Sequence, residues 1–75
     1  MEFKEWLIKT KKISSRVACD INSRYKRAIN LLNVKTVNAE TMNKLLKNDK
    51  FNNLKDTVKS QIKRAVILYY EYTKE

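Results

Sequence analysis

Not one glycine or proline occurs among the 75 residues, and this double absence limits the available folds more than any other feature. Glycine supplies the left-handed backbone of tight hairpins, and proline stops helices. Without them, glycine-rich phosphate loops and most tight hairpin turns drop out. A chain rich in Lys, Leu, Asn, Ile and Ala then defaults to helix. Its 75 residues make one domain at most, spanning 1–75. The expectation is an all-α fold, a compact four-helix bundle with short connections.

The clearest helical pattern runs from Ile13 to Leu32. Val17, Ile21, Tyr25, Ala28 and Leu32 recur at spacings of three and four. At ~100° per residue they share one side, while Arg16, Asp20, Ser23, Arg24, Arg27 and Asn30 take the other. Ser14 or Ser15 is placed to cap the free N–H groups of the first turn. Upstream, Phe3, Trp6 and Leu7 mark a first helix from Glu2 to Lys11, with Ile8 at the edge of the core. Lys9, Lys11 and Lys12 follow, either answering the helix dipole or forming a basic corner that leads into Arg16.

Downstream, Val34 to Val37 reads as a short extended connection. Asn38 is a cap for a third helix over Ala39 to Lys47, with Met42, Leu45 and Leu46 inward. Asn48 to Asn53 is the turn-rich cluster, with Phe51 as a plug beneath it. The last helix begins between Leu54 and Thr57 and runs to Thr73 on a stripe of Val58, Ile62, Ala65, Val66, Tyr69 and Tyr72. Ser23–Leu32 (SRYKRAINLL) and Ser60–Tyr69 (SQIKRAVILY) echo one another. Chance among helices of similar composition accounts for this more simply than duplication.

Catalysis finds no foothold. Histidine is absent and Cys19 is the single cysteine, which removes an internal disulfide, a Cys/His zinc set and any His-assisted nucleophile. Cys19 itself reads as a small buried or half-buried residue beside the apolar stripe. The acids are scattered, with no gathered carboxylate pair for metal or acid–base work. No enzyme activity, cofactor or metal is therefore expected. No apolar run approaches the ~20 residues of a membrane span. The first ten residues carry Glu2, Lys4, Glu5 and Lys9, unlike a signal peptide, so a cytoplasmic protein is expected.

The net charge is +9, from 17 basic against 8 acidic residues. A domain this basic attracts polyanions. Thirteen lysines and eight asparagines are also what an AT-rich genome writes into any surface. Against that lysine background, Arg16, Arg24 and Arg27 gather on one helix face. Guanidinium binds phosphate or guanine in bidentate fashion, and a helix fits the major groove. Duplex DNA, met mainly through its phosphates, is the expected partner; a merely solvated face is the alternative. A different reading is a small regulatory protein of phage or plasmid type, acting through a protein contact at Ile67 and Tyr70.

The order of the core residues resembles a known family. Phe3, Trp6 and Leu7 (FxxWL) precede Ile13, Ser14, Arg16, Val17 and Ala18, then Ile21, Ser23, Tyr25 and Ala28. After a middle helix come Thr57, Val58, Ile62, Val66, Tyr69, Tyr70 and Tyr72. This is similar to the N-terminal SAM-like, core-binding domain of phage integrases and other tyrosine recombinases. That pattern runs from an apolar-x-x-Trp-Leu helix through an LSxxTxxxY helix and a short middle helix to a Txxxxlxxlrxfyxyl helix. Val17 stands where the family has threonine and Ile21 where it has tyrosine, both compatible with a core position.

The resemblance implies half of a DNA clamp in which the second and fourth helices face the duplex. Arg16, Asp20, Ser23, Arg24 and Arg27 would serve on one helix, and Lys55, Lys59, Ser60 and Lys63 on the other. Lys11 and Lys12 join the expected DNA-binding residues on the separate reading of a basic corner. The family's catalytic domain has no counterpart in these residues. The expectation is therefore an excised domain or a free-standing relative, not catalytic by itself. Tyr69, Tyr70 and Tyr72 belong to the helix stripe and its edge, not to a nucleophile. Ile67 and Tyr70 would equally suit packing against a recombinase catalytic domain.

Overall fold

Among the described residues the chain forms five helices: α1 (Phe3–Lys9), α2 (Ser15–Leu32), α3 (Thr41–Leu46), α4 (Asp49–Asn52) and α5 (Asp56–Thr73). The computed structural model describes residues 2–35 and 37–74, and every regular element among them is helical. The fold is all-α, with one helix more than the four expected. The addition is α4, where the sequence suggests only a turn. The side chain of Asn48 explains it: its Oδ1 accepts the N–H of Phe51 at 2.9 Å, closing a single helical turn. Its amide also donates to the Leu31 carbonyl at 3.4 Å, tying α4 to the end of α2. Phe51 is then buried to 1% exposure, the plug its position suggests.

A chain without glycine must still leave its helices, and two ordinary residues take the left-handed conformation to do so. Asn33 ends α2 at φ 54, and the Val34 N–H reaches back to the Ile29 carbonyl at 3.1 Å, a Schellman closure. Lys12 adopts φ 58 after α1, which lets the Ile13 N–H meet the Leu7 carbonyl at 3.1 Å. The first helix accordingly ends at Lys9 instead of Lys11. Ser14, and not Ser15, caps α2, accepting the Val17 N–H at 3.3 Å.

At α3 the cap works one step removed. The Asn38 Oδ1 accepts the Glu40 N–H at 2.9 Å, and Thr41 Oγ1 accepts the Asn38 N–H at 2.8 Å. These bonds hold residues 38–41 in a turn, so the helix starts at Thr41, later than Ala39. They also satisfy Thr41, a buried polar residue at 3% exposure.

Helices α2 and α5 form the main packing pair, with α1 laid against both and α3 bridging them. Ala18 and Ala28 of α2, Leu45 of α3, and Ile62 and Ala65 of α5 are all fully buried in the core. One end is aromatic: Phe3 meets Tyr25, Tyr69 and Tyr72, and Trp6 meets Tyr72. Several inward assignments need correction. Val17 is 40% exposed and Leu46 45%, whereas Leu32, Met42 and Tyr69 are half-buried and pack against the core. Ala18, one position on and ~100° round the helix, is buried in place of the expected Val17. Val37, expected in a connection, joins the core at 5% exposure. Cys19 faces solvent, contrary to its expected burial. No helix among the described residues is long and apolar enough to cross a membrane.

Candidate nucleic-acid interface

The burial of Ala18, Ile21, Tyr25 and Ala28 fixes which side of α2 is outward. At ~100° per residue, Arg16, Asp20, Ser23, Arg27 and Asn30 fall opposite that seam, and all five are exposed. Arg24 lies on the flank and is half-buried, so it is less free to turn toward a ligand than Arg16 or Arg27. Among the described residues, none of these three arginines forms an ion pair. Asp20 sits between them without being recruited.

The lysines expected alongside are more committed. Lys11 bonds the Glu71 carboxylate, and its ammonium lies 5.5 Å from the centre of the Trp6 ring. It latches the end of α1 to α5. Lys12 is exposed beside it in the left-handed conformation. On α5, Lys59 pairs with Asp56 at 3.3 Å and is half-buried, as is Lys63. Lys55 is exposed at the start of the helix. Lys55, Lys63 and the exposed Arg64 stand outside these ion pairs, so α5 also carries uncommitted cations, while α2 presents Arg16 and Arg27 exposed on one face.

Of the expected residues, Ser23 and Arg27 share a groove of about 360 Å³. Lys26, Asn30, Leu31 and Lys50 complete its lining. Lys26 and Lys50 are not among the site residues to which the sequence points. Lys26 is visible there only as Arg27's neighbour, and nothing in the sequence brings Lys50 to the groove, since it arrives through the docking of α4. A second groove, of about 240 Å³, lies along α3 between Glu40, Asn43, Lys44 and Lys47, and there an acid offsets two lysines.

Among the described residues, the one strongly shifted group lies elsewhere. Burial, reinforced by hydrogen bonding and charge at Tyr69, pushes the Tyr25 phenol well above its ordinary value. It stays neutral and structural. Among the described residues no group of His, Cys, Asp or Glu is gathered to hold a metal ion. What the exposed groups can do is attract and hydrogen-bond anions.

Fold and surface together define a small all-helical protein with a cationic helix face. No protein-family model, curated protein or solved structure matches the chain.

The apolar surface is also partly as expected. Ile67 is 52% exposed on α5. Tyr70, read as exposed from the sequence, is half-buried, and the Lys74 ammonium sits 4.4 Å over its ring.

Proposed function

We propose that the chain is a DNA-binding module that grips duplex through its phosphates, using the outward face of α2. The observation that carries this reading is the exposure of Arg16, Ser23 and Arg27 on one helix face, with both guanidinium groups outside any ion pair among the described residues. At ~1.5 Å per residue, Arg16 and Arg27 stand about 16 Å apart along the axis, so they reach separate phosphates. Lys55, Lys59 and Lys63 form a secondary set, and engaging Lys59 means exchanging Asp56 for a phosphate. Contacts of this kind fix orientation and carry little sequence information.

The integrase-type resemblance supports the same reading. It adds a SAM-like bundle whose α2 and α5 are the second and fourth family helices, working in the cytoplasm beside a catalytic recombinase domain. Titrating isotope-labelled protein with a short duplex at low salt tests it. Amide shifts gathered along residues 16–30 are the expected result, and a spectrum that does not move rejects the reading.

Ile67 favours a second reading, a small regulatory protein that docks another protein on α5. Such a contact would weaken in Ile67→Ala and show little salt dependence.

A further inference from the structure

The groove between α2 and α4 differs from the α3 groove in its composition. Lys26, Arg27 and Lys50 bring three positive charges to it, and among the described residues no carboxylate lines it. Ser23 and Asn30 add neutral hydrogen-bonding groups, and Leu31 adds an apolar wall. Some other cations are offset: Lys59 by Asp56 and Lys11 by Glu71, and Glu40 lines the α3 groove beside Lys44 and Lys47. Lys50 is not a floating surface charge either. Its helix is pinned on one side by Phe51 in the core and on the other by the Asn48 amide on Leu31.

We propose that this groove seats one sugar–phosphate unit of a nucleic-acid backbone. The proposal rests on the reading of α2 as the nucleic-acid face and adds Lys50, from a different helix, to it. Arg27 offers the planar fork that matches phosphate oxygens, while Lys26 and Lys50 act as point charges around it. Ser23 and Asn30 bond the remaining phosphate oxygens, and Leu31 lies against the sugar. The volume of about 360 Å³ falls near the lower end of small-ligand pockets, ~300–1,000 Å³, which suits one such unit. Seating at α4 would fix the register of the backbone along α2, with Arg16 reaching a phosphate further along.

The test compares Lys50→Ala and Lys26→Ala with the unaltered protein in duplex titrations over a range of salt, alongside Arg16→Ala/Arg27→Ala. Both lysines are exposed, and circular dichroism checks that the variants remain folded. Each single variant is expected to weaken binding and to lower the salt slope by ~1. Amide shifts at Ser23, Asn30 and Lys50 should accompany duplex binding, and inorganic phosphate should move the same amides more weakly. If Lys50→Ala and Lys26→Ala bind as the unaltered protein does while the arginine variant is impaired, the groove is not a seat and only the α2 reading survives. If no variant is impaired, both fall. Shifts in the groove with inorganic phosphate but none with duplex would overturn the backbone as occupant.

Discussion

The ring of Tyr25 on α2 lies flat against that of Tyr69 on α5, 3.8 Å between centroids and 8° between planes. Phe3 closes on the same pair edge-on, 4.8 Å from the Tyr69 ring. The principal helix pair is thus joined by a direct aromatic contact. A double-mutant cycle of Tyr25→Ala and Tyr69→Ala, followed by urea denaturation, should give a coupling of ~0.5–1.5 kcal/mol beyond the separate losses of area. Additive losses would show that stacking adds nothing to burial.

The same stacked pair makes stability depend on alkaline pH. Burial first, and then Tyr69, raise the Tyr25 phenol above its ordinary 10.0, so folding favours the neutral form. The sign follows: this contribution is complete below the unfolded value of ~10 and is lost as pH rises above it. Between about pH 8 and about pH 11, the unaltered protein should lose more stability than Tyr25→Phe. Equal losses, measured by urea denaturation at each pH, would remove Tyr25 as the titrating group.

Phe51 and Val17 should respond in opposite ways to truncation. Phe51 is 1% exposed beneath α4, so Phe51→Ala should cost ~3–5 kcal/mol. For a 75-residue chain with a typical total of roughly 4–11 kcal/mol, that loss approaches unfolding. Val17 and Leu46 are exposed at 40% and 45%, and truncating either to alanine should change stability by under ~0.5 kcal/mol. Thermal melts by circular dichroism separate the two classes.

Lys12 holds a positive φ of 58 without being glycine, a conformation costing ~1–2 kcal/mol for an ordinary residue. Glycine avoids that cost but loses ~0.5–1 kcal/mol in unfolded-state entropy. Lys12→Gly should therefore raise stability, by up to about 1.5 kcal/mol, and a drop in melting temperature would contradict the strain. Asn33, at a similar φ of 54, should gain less, because asparagine tolerates this region better.

These contrasts also show where sequence reasoning reaches its limit. Periodicity places α2 and α5 to within a residue or two, because long amphipathic stripes have a single good phase. It does not choose between adjacent apolar residues near the seam, so Val17 displaces Ala18 in the expected core. Which of the two is buried depends on the rotation of α2 against its neighbours, and that is a tertiary property. Helix α4 escapes detection because four residues carry no period, and its single turn depends on Asn48 bonding both Phe51 and Leu31. The same holds for the interface. Arg16, Ser23 and Arg27 are readable on α2, whereas Lys50 reaches Arg27's groove only through tertiary packing. The pairing of Lys59 with Asp56 adds a cost to its use that spacing alone does not reveal.

The account stands on the uncommitted guanidinium groups of α2, and the salt dependence of duplex binding in Arg16→Ala/Arg27→Ala tests it most directly. The slope of log affinity against log salt should flatten by ~0.9 for each phosphate that goes unbound, about 1.8 for both, with affinity reduced at every salt concentration. A double variant whose slope and affinity equal those of the unaltered protein would contradict it.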